Sequence, residues 1–169
     1  MVVSTSKSLI QEHSYKSVFP PKRILAPIDG SENATRALHA AIELSKKYDS
    51  ELFIIMVTPR RAVGLGLGSD FPGHASAVKE YYENMDKRSE YILANSIDEA
   101  KREGLEKVNS EAIPEFESVA RQILEQVASK NIDLIVIGTR GLGGFKKLLV
   151  GSVSSEVLAH ATCNVLVVR

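Results

Sequence analysis

The stretch formed by residues 133–155, DLIVIGTRGLGGFKKLLVGSVSS, constrains the fold of this chain more than any other. Its apolar start, residues 134–138, has the length and composition of a buried strand. A glycine-rich loop follows, and Ser152 then opens a segment with helical spacing of apolar residues. A strand, a glycine loop and a helix start in this order direct backbone N–H groups and the positive end of a helix dipole at one point, which suits a phosphate or another anion.

The residues of this loop indicate how a phosphate would be held. Gly138 and Gly141 lack the Cβ that would keep a ligand away from the backbone, and Gly151 can adopt a positive φ just before the helix. The hydroxyls of Ser152 and Ser154 add side-chain donors. We therefore predict a phosphate cradle at Gly138, Gly141, Gly151 and Ser152. The alternative is a flexible surface loop in which Ser152 is an ordinary helix N-cap.

The C-terminal string GTRGLGGFKKLLVGSVSSEVLAHATCNVLVVR resembles the universal stress protein family almost throughout. Its spacing of Gly-x-x-Gly, nine residues and Gly-Ser matches the nucleotide motif of that family. The resemblance implies an adenine nucleotide as the ligand, ATP or else ADP or AMP, with Mg²⁺ or Mn²⁺ held through the phosphates. The loop residues and the resemblance together predict as cofactor-binding residues Pro27, Asp29, Val57, Gly138, Arg140, Gly141, Gly151, Ser152, Val153 and Ser154.

The chain alternates apolar runs with amphipathic segments, which predicts an α/β fold with a parallel, doubly wound sheet. We expect strands over residues 23–28, 51–58, 105–113, 134–138 and 165–168, and helices from residue 31 and over residues 77–103, 118–130 and 152–161. The family resemblance covers residues 22–169 and implies one domain with a Rossmann-like five-stranded sheet in the order 3-2-1-4-5. Residues 1–21, which end in Pro20-Pro21, are predicted to form a flexible extension.

Composition limits the classes of function. The 169 residues suffice for one domain that buries on the order of 70% of its unfolded surface. Its 21 Lys and Arg residues balance 21 Asp and Glu residues, so no net charge indicates nucleic acid or an anionic membrane as a partner. The apolar runs are too short to span a membrane. The N-terminus lacks the apolar region of a secretory signal, and the single Cys163 fits a reducing cytosol, so we expect a cytoplasmic protein.

Asp29 is the second candidate for a binding residue. In the expected order, ligands bind between strands 1 and 4, and Asp29 and Gly138 end those strands. Because Asp29 would repel phosphates, we place it at the nucleoside end, where it can accept hydrogen bonds from ribose or from the adenine amino group. The string Pro27-Ile28-Asp29 has this role by resemblance. An N-cap explains Asp29 nearly as well, and core packing explains Val57 as well as a wall against adenine.

These features favour an adenine-nucleotide-binding regulator or switch of the stress response. No residue stands out as a hydrolytic base, so at most weak ATP hydrolysis is expected, and the scattered histidines predict no protein-only metal site. Two alternatives stay open. One is a nucleotide-free assembly module, against which the intact glycine motif argues. The other is a phosphoacceptor receiver-like domain, which needs an aspartate after strand 3, where this chain has Ile113-Pro114.

The final strand predicts a partner. In the order 3-2-1-4-5 this strand is a sheet edge, and only Arg169 blunts its apolar run. We therefore predict a homodimer in which the strand from Asn164 to Arg169 pairs antiparallel with its copy. The alternative is that the N-terminal extension covers this edge within one chain.

Overall fold

In the part of the chain that the structure describes, five strands and four helices alternate. They are β1 (Arg23–Pro27), α1 (Glu32–Tyr48), β2 (Glu51–Pro59), α2 (His74–Arg102), β3 (Val108–Glu115), α3 (Val119–Lys130), β4 (Leu134–Gly138), α4 (Ser152–His160) and β5 (Asn164–Val168). The structure is a computed structural model and describes residues 19–59, 74–141 and 150–169. All strands pair in parallel in one sheet of order β3-β2-β1-β4-β5. The predicted fold class and strand order are confirmed.

Alternation along the strands divides the core into two layers. Ile24 and Ala26 of β1 lie on one face with buried residues of α1 and α2, among them Ala37 and Leu93. Leu25 lies on the other face, where buried residues of α3 and α4 pack. Helices therefore cover both faces of the sheet, which explains why the central strands are apolar without interruption.

Serine caps set two of the helix starts. The Ser31 hydroxyl accepts a hydrogen bond from the Ala34 N–H at 3.2 Å, and the Ser118 hydroxyl accepts one from the Arg121 N–H at 3.1 Å. Each bond satisfies one of the N–H groups that a helix start leaves without an intrahelical partner. The N-cap of α1 is therefore Ser31 and not Asp29, for which the sequence left a cap role open.

α4 begins at Ser152 as predicted, but its cap differs from the alternative in which Ser152 is the N-cap. Gly151 occupies the cap position, so Ser152 is not the N-cap, and the cap residue has no side chain to bond to the first turn. Gly151 has a φ of −73°, so the positive φ that its sequence position allowed is not used. Its N–H instead donates to the Thr139 carbonyl at 2.6 Å. The first turn of α4 is consequently left without a side-chain cap.

β3 is an edge strand, as its polar sequence predicted, but the predicted start at Leu105 is wrong. The Leu105 N–H donates to the Ala100 carbonyl at 3.0 Å and closes the end of α2 next to Gly104, which has a φ of 87°. β3 begins after this closure and continues through Pro114. A proline fits there because one side of an edge strand has no neighbouring strand to bond.

The described part of the segment before β1, residues 19–22, packs against the rest of the domain. Pro21 is buried, and its carbonyl accepts a hydrogen bond from the Ser50 hydroxyl at 2.6 Å. The ring of Phe19 lies edge-on to that of Tyr48, with 5.2 Å between the ring centroids. The rest of the predicted extension, residues 1–18, lies outside the described residues, and its flexibility stays a prediction. Within the described ranges, no helix is long and apolar enough to cross a membrane.

Candidate functional site

β1 and β4 separate toward their carboxyl ends. β1 pairs with β2 as far as Pro27 opposite Ile55, and the Ile28 N–H extends this pairing to the Ile55 carbonyl at 2.8 Å. The pairing of β1 with β4 ends earlier, at Leu25 opposite Ile135. A crevice therefore opens between β1 and β4. The connection that follows β1 and the connection that precedes β4 cover opposite faces of the sheet, so the strand order reverses at this crevice. Sheets of this type bind ligands at such a position.

Pro27 contributes to this separation. Consecutive residues of a strand direct their backbone groups to opposite neighbours, so the Ile28 bond to β2 leaves position 27 facing β4. A proline has no N–H to donate to β4. The buried Pro27 therefore ends the ladder between β1 and β4 while the ladder between β1 and β2 continues.

Asp29 holds the turn between β1 and α1. Its Oδ1 accepts a hydrogen bond from the Ser31 N–H at 2.9 Å, and Gly30 between them has a φ of 81°. The Asp29 side chain is half-buried at the mouth of the crevice. The turn thus orients the carboxylate, while the neighbouring Ser31 caps the helix.

The glycine loop meets this carboxylate. A Cβ built on Gly141 would overlap the Oδ2 of Asp29, so the backbone of the loop approaches as closely as it does only because residue 141 is glycine. Because its charge would repel phosphates, Asp29 was expected at the nucleoside end of the ligand. This contact places it closer to the predicted phosphate position than that expectation implied. An anion held over Gly141 would face a carboxylate, and a cation close to both would reduce the repulsion.

The packing of α1 against β4 requires a residue without a Cβ at position 138. A Cβ there would lie 2.8 Å from the backbone carbon and oxygen of Asn33, in the first turn of α1. The Gly138 carbonyl also accepts a hydrogen bond from the buried Ser154 hydroxyl at 2.8 Å. Gly138 and Ser154 therefore join α1, β4 and α4 into one wall of the site, and the Ser154 proton is engaged within the protein. Direct contact of either residue with a ligand stays a prediction.

The start of α4 suits an anion. Ser152 is exposed, and its hydroxyl makes no hydrogen bond with the residues that the structure describes. The first N–H groups of the helix, including those of Ser152 and Val153, have no intrahelical acceptor. The helix dipole adds positive potential at the same place. The Val153 side chain is partly buried against the layer of α3 and α4.

Thr139 ties the loop to the last strand, a role that no sequence pattern indicated. Its N–H donates to the Val168 carbonyl at 2.8 Å, and its own carbonyl accepts the Gly151 N–H. Backbone bonds of this kind do not depend on side-chain type, so the sequence carries no signal for them. They bring the two ends of the loop together beside β5. The middle of the loop, residues 142–149, lies outside the described residues.

Val57 and Arg140 complete the set of predicted residues. Val57 is half-buried on the face of β2 that packs against α3 and α4, one alternation beyond Ile55. Arg140 is half-buried, and its carbonyl accepts a hydrogen bond from the Ser31 hydroxyl at 3.5 Å. All the predicted site residues thus lie at the carboxyl ends of β1, β2 and β4, in the adjoining loops, or in the first turn of α4.

Cys163 lies just before β5, at the amino ends of the strands and therefore at the end of the sheet opposite to the candidate site. Burial, and after it the nearby Asp133 carboxylate, raises the pKa of the Cys163 thiol. A protonated thiol is a poor nucleophile, so the structure gives no reason to assign chemistry to Cys163. Among the residues in the described ranges, no group of three His, Cys, Asp or Glu side chains is placed to hold a metal ion.

The chain is similar to known proteins over most of its length. Universal stress protein YxiE from Bacillus subtilis (strain 168) is 34% identical over 150 residues, which cover 87% of this chain and 98% of that protein. The solved structure of universal stress protein UspA from Lactobacillus plantarum has the same fold. Its TM-score is 0.76 at 23% sequence identity, and the match covers 88% of this chain and 97% of that chain.

Two further solved structures with this fold are complexes with adenine nucleotides. One is a universal stress protein in complex with cAMP, with a TM-score of 0.64, 22% identity and coverage of 88% of this chain and 97% of that chain. The other is the universal stress protein from Archaeoglobus fulgidus in complex with dAMP, with a TM-score of 0.61, 18% identity and coverage of 87% and 97%. The sequence model of the universal stress protein family matches residues 20–169. With this match and a relative of more than 30% identity, the chain belongs to the universal stress protein family.

Proposed function

We propose that this protein binds an adenine nucleotide in the crevice between β1 and β4, with ATP as the expected ligand. We further propose that it is a cytoplasmic protein that acts as a regulator or switch of the stress response. The observation that carries the proposal is the close approach of Gly141 to Asp29 at the mouth of the crevice. A loop backbone without a side chain and an uncapped helix start together suit a phosphate.

The relatives support an adenine nucleotide as the ligand class. The two complexes of this fold contain cAMP and dAMP, and both ligands combine adenine, a pentose and a phosphate. In this chain, the half-buried Val57 offers adenine an apolar surface. Asp29 offers carboxylate acceptors to ribose or to the adenine amino group. ADP and AMP would occupy the same crevice with fewer phosphates.

A divalent cation fits the charges of this site. Phosphates over Gly141 would face the Asp29 carboxylate, and Mg²⁺ or Mn²⁺ bound to the phosphates and to water would supply positive charge between them. The described residues alone form no metal site, so the ion is expected to enter with the nucleotide. We assign no more than weak hydrolysis, because no residue is identified as a base.

Mass spectrometry of purified, denatured protein is expected to detect released ATP, ADP or AMP.

In calorimetry, Ser152→Ala should lower ATP affinity about ten- to a hundredfold, because a hydrogen bond to a charged group contributes about 1.5–3 kcal/mol. Ser155→Ala is the matched control, since Ser155 is exposed one turn along in the same helix, and it should leave the affinity unchanged. A protein that releases no nucleotide and binds none would favour the nucleotide-free assembly module.

We also propose that the protein is a homodimer paired through β5. β5 is an edge of the sheet, and Leu166 on it is 40% exposed. The Asn164 N–H and the Val168 carbonyl both bond inward, to Asp133 and Thr139. Because backbone groups alternate in direction along a strand, the N–H groups of Val165 and Val167 point outward, where a second copy can pair with them.

Val167→Pro is expected to convert the dimer into a monomer in light scattering coupled to size exclusion. The change removes an outward N–H and leaves the ladder between β4 and β5 intact. Val167→Ala keeps that N–H and should remain a dimer. A wild-type protein that is monomeric at high micromolar concentration would contradict the proposal and favour coverage of the edge by the N-terminal extension.

A further inference from the structure

α2 runs beside α1 toward the crevice. Its 29 residues give it a length of about 43 Å. The Glu99 carboxylate contacts the Nε2 of His39 in α1, and Glu103 forms an ion pair with Lys46 at 3.2 Å. Two turns before Glu99, Ile92 packs against the core layer that contains α1. This flank of α2 therefore follows α1 to its N-terminal end, where the crevice lies.

Arg88 lies on this flank at the level of the crevice. A Cβ built on Gly30 would lie 3.0 Å from the Cδ1 of Ile92 and 3.9 Å from the Nη2 of Arg88. Gly30 directly follows Asp29, whose Oδ2 adjoins Gly141. The Arg88 guanidinium thus lies beside the turn that holds the Asp29 carboxylate next to Gly141.

The positive charge of Arg88 has no partner among the residues that the structure describes. Its side chain is exposed, and it makes no hydrogen bond or ion pair with the residues that the structure describes. Arg140, the other arginine of the site, is half-buried and already has an interaction partner. Anionic ligand groups next to Asp29 would be repelled by its carboxylate, and a cation above the same turn would offset that repulsion.

We propose that Arg88 makes this site selective for ligands that carry phosphate groups, as a contact from outside the glycine motif. The inference rests on the proposed nucleotide binding in the crevice. A guanidinium stays charged at physiological pH and donates paired N–H bonds to phosphate oxygens. The ligand class is a nucleoside polyphosphate, and the contribution of Arg88 increases with the number of phosphates.

The test compares the affinities of ATP, AMP and adenosine for the wild type and for Arg88→Met by calorimetry. Methionine keeps an unbranched apolar stem beside Gly30 and removes the charge. ATP affinity should fall about tenfold, as expected for the loss of a charge-assisted contact. AMP affinity should fall less, and adenosine affinity should stay unchanged. The salt dependence of ATP binding should also become weaker in the variant.

Two further variants separate this role from a general effect of the helix. Lys87→Met removes the same charge at the adjacent exposed position of α2 and should leave all three affinities unchanged. Arg88→Lys should recover part of the ATP affinity. Equal losses for ATP and adenosine, an equal loss in Lys87→Met, or no loss in Arg88→Met would overturn the inference while nucleotide binding stands. A wild type that binds none of the three ligands would overturn the proposed function, and this inference with it.

Discussion

Gly141→Val is expected to lower ATP affinity by at least about a hundredfold, or ~2.7 kcal/mol. The valine side chain would fill the approach to the loop backbone, and its Cβ would fall where the Oδ2 of Asp29 already lies. Calorimetry with ATP and Mg²⁺ measures the loss. An affinity equal to that of the wild type would remove Gly141 from the binding site.

Gly141→Ala in two backgrounds separates ligand approach from crowding within the protein. In the wild-type background it should destabilise the fold by about 1–3 kcal/mol, because the added methyl overpacks the contact with Asp29. In an Asp29→Ala background the clashing carboxylate is gone, so this cost should largely disappear in denaturant unfolding while ATP affinity stays low. A stability cost that is the same in both backgrounds would show that Asp29 does not crowd residue 141.

Gly138→Ala is expected to have the largest effect on stability, about 3 kcal/mol, since overpacking here meets a backbone that cannot rotate away. The added Cβ would lie 2.8 Å from the Asn33 backbone, in the first turn of α1. For a domain of this size the loss corresponds to a fall in Tm of roughly 6–12 °C. Thermal unfolding followed by circular dichroism measures it.

Gly104→Ala is the matched control for Gly138→Ala. Gly104 has a positive φ of 87°, and a Cβ there would have no heavy atom within 4 Å. Its replacement should therefore cost only the backbone strain of a left-handed residue, about 1 kcal/mol. Equal losses in the two variants would mean that α1 shifts easily away from β4, contrary to the packing described above.

Local sequence signals determined the order and type of the elements. Apolar runs predict strands that are covered on both faces, and β4 runs from Leu134 to Gly138 as expected. Ser31 and Ser118 cap their helices because a hydroxyl bonds an N–H only a few residues away. The strand order came from the family resemblance, since periodicity does not encode which strands become neighbours.

Local sequence patterns did not predict the structure where a contact within the folded protein competed with them. Leu105 was expected to start β3, but its N–H closes the end of α2. The alternative role of Ser152 as an N-cap is not realised, because Gly151 occupies the cap position, where its N–H bonds to the Thr139 carbonyl. Both outcomes depend on backbone hydrogen bonds, which any residue type except proline can make and which therefore leave no mark on the sequence.

The sequence by itself predicted the glycines and the aspartate of the candidate site, because residue type and spacing indicate where a backbone can approach a ligand. Only the tertiary structure decided which partner each of them has. Gly138 faces Asn33, and Gly141 faces Asp29. Arg88, which no motif contains, lies over the turn at Gly30. These partners are distant along the chain, and they meet because the parallel order brings the carboxyl ends of β1 and β4 side by side while α1 and α2 pack across them.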